Sequence, residues 1–128
     1  MKNLTFFIII IIFLSSSASI NAQEKTNTAD GALLRGLDKV SGEVIDFGLK
    51  SGDTHLLWKL KIKLSECRYP ISNPVGDAFV HLTISQDKSD NDLFRGWMIA
   101  SSPAINPLEH ARYDLWVLRC AMVSTSDE

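Results

Sequence analysis

The stretch His55–Cys67 reads HLLWKLKIKLSEC. Leu56, Trp58, Leu60, Ile62 and Leu64 occupy the even positions, and Lys59, Lys61 and Lys63 stand between them. Side chains of a β-strand alternate between two faces, so a period of two over this length predicts one strand with a buried face and a wet face. A helix would scatter the lysines around its circumference. The lysine row reads as a solvated face that also discourages edge-to-edge pairing. The other use of such a row is contact with anionic lipid or an acidic partner.

The same period recurs on both sides. Leu33 to Leu37 is a short apolar stretch, and Glu43 to Lys50 alternates Ile45, Phe47 and Leu49 against Asp46, Gly48 and Lys50. Ser41-Gly42 between them is a turn signal, so the two segments form a hairpin. Asp77 to Gln86 sets Ala78, Val80, Leu82 and Ile84 against Phe79, His81, Thr83 and Ser85. Leu93 to Ala100 and Tyr113 to Met122 read as two further strands. The prolines of 68–76 and of 101–112 mark loops. The expectation is an all-β domain of about six antiparallel strands over 32–122, closed as a small single-domain barrel or packed as a two-sheet sandwich.

The N-terminus has a different character. Met1 and Lys2 precede an apolar run, Leu4 to Leu14, with five consecutive Ile. A small-polar stretch up to Ala22 follows. This order of n-region, h-region and small-residue site is that of a cleavable signal peptide, 1–22, with cleavage after Ala22 or, as second choice, Ala18. The apolar run is shorter than the roughly 20 residues that a membrane span needs. The expected localisation is the periplasm, with no stable membrane insertion of the mature chain. Residues 23–31 are expected to be a flexible tail, and 123–128 a second one.

Loss of Lys2 with the leader moves the formal charge from -2 to -3. That mild acidity, with export, argues against a nucleic-acid partner. Cys67 and Cys120 are the two cysteines. In an exported chain an even count favours a disulfide, the alternative being two buried free thiols.

Chemistry-bearing residues are sparse. His55, His81 and His110 have no metal-site spacing, so neither metal nor cofactor is expected. Ser102, His110 and Asp114 lack the context of a nucleophile elbow. Glu109 and Asp114 are the pair that an envelope-glycan hydrolase would use, with Trp97, Tyr113 and Trp116 as stacking faces. So short a chain leaves little room for a cleft. The non-catalytic reading therefore ranks first: an interaction surface of Trp97, Glu109, His110, Tyr113, Asp114 and Trp116. Within it His110 is expected to serve as a hydrogen-bonding anchor of the 101–114 loop rather than as a ligand.

Three segments carry a family resemblance: GWMIASSPAINPLEHARYDLWVLRC (Gly96 to Cys120), LDKVSGEVIDF (Leu37 to Phe47) and DAFV (Asp77 to Val80). Together they resemble the bacterial domain-of-unknown-function family 2155, small exported alphaproteobacterial proteins, over about residues 33 to 121. Ala111 departs from the pattern, which favours Pro there. The resemblance implies a periplasmic location, a two-Cys pattern and no established activity. It also implies a partner in an envelope or inner-membrane protein complex, with a respiratory complex as the candidate.

Overall fold

The computed structural model describes residues 23–89 and 91–121. The leader expected over 1–22 and the tail over 123–128 lie outside the described residues. Eight strands are present: β1 (Thr26–Ala29), β2 (Gly31–Asp38), β3 (Val44–Lys50), β4 (Thr54–Leu57), β5 (Leu60–Pro70), β6 (Phe79–Gln86), β7 (Asp92–Ile99) and β8 (Tyr113–Ala121). All pairings are antiparallel. One sheet runs β1-β5-β6-β7, with β4 on the same edge of β5 as β1; the other runs β3-β2-β8. Of the two expected architectures this is the two-sheet one.

The core lies between the sheets. Leu60, Ile62, Leu64, Val80, Leu82 and Ile84 from the five-stranded sheet meet Leu34, Phe47, Leu49, Leu115 and Val117 from the three-stranded one. These are the inward positions of the alternating pattern, so the apolar phase of each strand decides which of its faces is buried.

Two parts of the sequence reading are corrected. The first concerns His55–Cys67, which is a hairpin and not one strand. Trp58 and Lys59 form its two-residue turn, Leu57 pairs with Leu60, and Trp58 has φ 54°. A left-handed backbone at a bulky residue costs roughly 1–2 kcal/mol. The Trp58 ring offsets that by stacking on Tyr113, centroids 5.1 Å apart, and by donating its Nε1–H to Glu43 at 3.1 Å. Gly36 makes room beneath, because a Cβ there would collide with Leu57 and press on the Trp58 ring. Crossing the turn exchanges the phases: Leu57 is buried and Leu56 is 59% exposed.

The second correction concerns 23–31. Thr26–Ala29 is not part of a tail; it pairs with Cys67–Pro70 of β5. The chain then turns a corner at Asp30 and enters the other sheet as β2. Gly31 is needed at that corner, since a Cβ would run into the Leu49 carbonyl.

The corner is where the disulfide sits. Cys67 pairs with Ala29 and Cys120 with Ala32, on either side of it. The Cys67–Cys120 bond therefore joins the two sheets, with the Cα atoms 5.7 Å apart. A β-bulge lies just before each half-cystine. In β5 the ladder to β6 skips Ser65, and in β8 the ladder to β2 skips Leu118. Leu60, Ile62 and Leu64 point inward from even positions, and the extra residue turns odd-numbered Cys67 inward too. In β8 the inward positions are Tyr113, Leu115 and Val117, and the bulge brings even-numbered Cys120 into line.

Candidate functional site

The 101–112 segment is built as a strap with fixed ends. At its start the Asp77 carboxylate accepts the Ser101 N–H at 3.0 Å and the Ser101 hydroxyl at 2.6 Å. Partial burial pushes the Asp77 carboxyl up, but these bonds and the Ala78 N–H outweigh it and hold the group below its ordinary range. In the middle Asn106 donates to the Trp97 carbonyl at 3.0 Å, and Leu108 is buried. At the far end His110 Nδ1 accepts the N–H groups of Arg112 and Tyr113, both at 3.0 Å. The Lys39 ammonium donates to the His110 carbonyl at 2.6 Å.

Asp38 holds the far end to the β2–β3 hairpin. Its side chain is 4% exposed and accepts a forked pair of bonds from Arg112, with the closest contact 2.8 Å, besides the N–H groups of Val40 and Ser41. The Arg112 guanidinium holds the Asp38 carboxyl down at about 2, with the two backbone N–H groups assisting. The Arg112 guanidinium also lies over the Tyr113 ring, 5.4 Å from its centroid.

The structure divides the six expected surface residues among different places. Tyr113 is 4% exposed, stacked between His110 and Trp58, so it belongs to the core and cannot offer a docking face. The phase of β8 explains this: Tyr113 shares the inward face with Leu115 and Val117. Asp114 and Trp116 are on the opposite phase. With Pro103, Ala104 and Pro107 of the strap they line a groove of about 380 Å³. Glu109 is exposed on the strap and does not line that groove. His110 is half-buried and engaged as described. Trp97 is on the other sheet: β7 presents it outward, edge-on to His81, under the guanidinium of Arg68.

Sequence reasoning missed what surrounds Trp97. Phe79 and Ile99 are paired neighbours on β6 and β7, and with Arg68 and Trp97 they line a mostly apolar groove of about 300 Å³ on the outer face of the five-stranded sheet. The signal was present as apolar residues in the outward phase of strands that already had an apolar inward phase. Among the described residues, no group of three His, Cys, Asp or Glu side chains is placed to hold a metal ion.

A disulfide-linked, all-β two-sheet domain with a pinned strap is the class that this architecture defines. The chain belongs to the family described as uncharacterised protein conserved in bacteria, domain of unknown function 2155, whose model matches residues 32–120. It is also similar to the uncharacterised protein RP359 of Rickettsia prowazekii (strain Madrid E), 30% identical over 110 residues, covering 84% of this chain and 70% of the relative. No solved structure matches the chain.

Proposed function

We propose that the protein is an exported, non-catalytic interaction module, an accessory of an envelope or inner-membrane protein complex that it grips through the groove beside Trp116. The observation that carries this is the groove itself. A half-buried Trp and a carboxylate on β8 face two prolines on a strap whose ends are tied to Asp77 and Asp38. Such a surface is preorganised, so little side-chain and loop entropy is lost on binding. Aromatic anchors in a partly desolvated pocket dominate interface energies. The disulfide between the sheets suits an oxidising compartment, in keeping with the leader read from 1–22. The hydrolase reading needs both carboxylates to face one substrate cleft, whereas Asp114 borders the groove without Glu109.

The test is affinity capture of the tagged protein from its native membranes in mild detergent, followed by binding measurements with the recovered complex. Trp116→Ser is expected to weaken binding about thirtyfold or more, roughly 2 kcal/mol, with the fold intact by circular dichroism. Trp116→Ser and Asp114→Asn variants that both bind the complex as tightly as the unaltered protein would overturn the groove as the docking site. The intact mass of the exported form should correspond to a chain beginning at Gln23.

A further inference from the structure

The outer face of the five-stranded sheet is unlike the outer face of an ordinary sandwich. Successive outward rows across β5, β6 and β7 are Lys61–Ser85–Asp92, Lys63–Thr83–Arg95, Glu66–His81–Trp97 and Arg68–Phe79–Ile99. The face therefore changes from cationic and hydroxyl-bearing to aromatic and aliphatic over about 20 Å, at ~3.3 Å of strand rise per residue.

At the cationic end Lys61 and Lys63 line a recess of about 300 Å³ with the Thr54, Thr83, Ser85 and Ser89 side chains. Asp92 borders the same recess, but Arg95 pairs with it, and Glu66 is paired with Arg68 at 3.2 Å. Among the described residues neither Lys61 nor Lys63 has an ion-pair partner. With Asp92 and Glu66 both matched by arginines, the recess keeps the two lysine charges as its surplus, although Glu24 borders the Trp97 groove at the far end of the face and the protein as a whole is acidic at -2. A recess that joins two unpaired ammonium groups to several hydroxyls is complementary to a phosphate-type anion. The Trp97 groove on the same face supplies what a free anion does not need, an exposed aromatic and aliphatic surface of the kind that settles at a lipid interface.

We infer that this face docks on an anionic phospholipid surface, the Lys61–Lys63 recess taking a headgroup phosphate while Trp97, Phe79 and Ile99 rest at the boundary with the acyl chains. The contact is peripheral, and no strand enters the bilayer. The inference shares the envelope location proposed above but uses a different face from the Trp116 groove. A protein docked to a membrane complex by one sheet would thus lie against the surrounding lipid with the other.

Co-sedimentation of the full-length protein with vesicles tests this. Vesicles containing phosphatidylglycerol are compared with vesicles of phosphatidylcholine alone, so that any contribution of residues 1–22 common to both cancels in the difference. Preferential binding to phosphatidylglycerol is expected, weakening as salt is raised. Lys61→Gln with Lys63→Gln should reduce it about thirtyfold, and Lys50→Gln on the other sheet should leave it nearly unchanged. Trp97→Ser should reduce binding while retaining the preference. Equal binding to the two vesicle types, or an equal loss in the Lys50 variant, would overturn the inference. So would binding of inorganic phosphate or of polyglutamate by the folded protein without vesicle binding. The lysine variant leaves the Trp116 groove untouched, so failure here and failure of the proposed docking to a complex are separate results.

Discussion

At the scale of single residues, Asp38 does the most to join distant parts of the chain. It closes the β2–β3 hairpin through Val40 and Ser41 and anchors the strap through Arg112, 74 residues away. All of these donors favour the ionised carboxylate, which is why its pKa falls from 3.8 to about 2. A group whose pKa is depressed by folding contributes stability that is fully present above its unfolded value and is lost as pH falls through its folded value. Asp38 should therefore steepen the decline in stability between about pH 4 and pH 2. Urea titrations across that window should show Asp38→Asn less stable at neutral pH and visibly flatter below pH 4. An unaltered slope in the variant would mean that other carboxylates set the acid limit. Conversion of Arg112 to Gln should flatten the same window, since it removes the principal cause of the shift.

The strands themselves show how much one extra residue can decide. Both half-cystines reach the core because a bulge precedes each, at Ser65 in β5 and at Leu118 in β8. The bulge absorbs Ser65, so the side chains after it keep the facing that a regular ladder continuing from Leu64 would give them without that residue. Deletion of Ser65 should therefore leave a regular ladder, with Leu64, Glu66 and Cys67 opposite Leu82, His81 and Val80, Cys67 still inward and the bond still formed. The deletion protein, made under oxidising conditions, should accept no thiol label, like the unaltered protein. Labelling of both cysteines in the deletion protein would show that the bulge does more than absorb one extra residue. The lysine row belongs to this scale too. On the turn, Lys59 carries no register, but Lys61 and Lys63 share a face with Thr83 and Ser85, and that pairing creates the recess.

For the molecule as a whole, the two sheets are small and the covalent link between them spans most of the fold. The bond closes a loop with a sequence separation of 53. In the chain-entropy model a loop of that length stabilises the fold by about 4 kcal/mol. That is a large fraction of the 5–15 kcal/mol typical of a domain. Cys67→Ala with Cys120→Ala should lower the unfolding free energy by about that amount, measured by urea denaturation of both proteins under identical conditions. A loss below about 1 kcal/mol would mean that the hydrophobic contact between the sheets carries the assembly without the bond. Local losses should follow a pattern as well: β1 and the Asp30 corner, where the bond sits, should gain the most hydrogen exchange, and the β6–β7 ladder the least.

Sequence alone determined the class of the fold and most of the strands, because side-chain alternation is a local property written into consecutive residues. Ala78, Val80, Leu82 and Ile84 are buried just as their period requires. It also determined that the 101–114 loop needs internal hydrogen-bond partners, and His110 supplies them. Tertiary structure alone decided where the alternation breaks. Trp58 shows none of the Gly or Asn chemistry that marks a tight turn, and its positive φ is tolerated only because Tyr113 and Glu43, remote in sequence, hold its ring. The one local hint was Leu57, an apolar residue in the wet phase. The strand at Thr26–Ala29 was hidden because its partner is Cys67–Pro70, and pairing energy from a remote strand is invisible in a polar tetrapeptide. Tyr113 and Trp116 look alike as exposed-aromatic candidates, yet one is core and the other surface. The phase of β8 relative to the opposing sheet separates them, and a strand acquires that phase only when the two sheets pack.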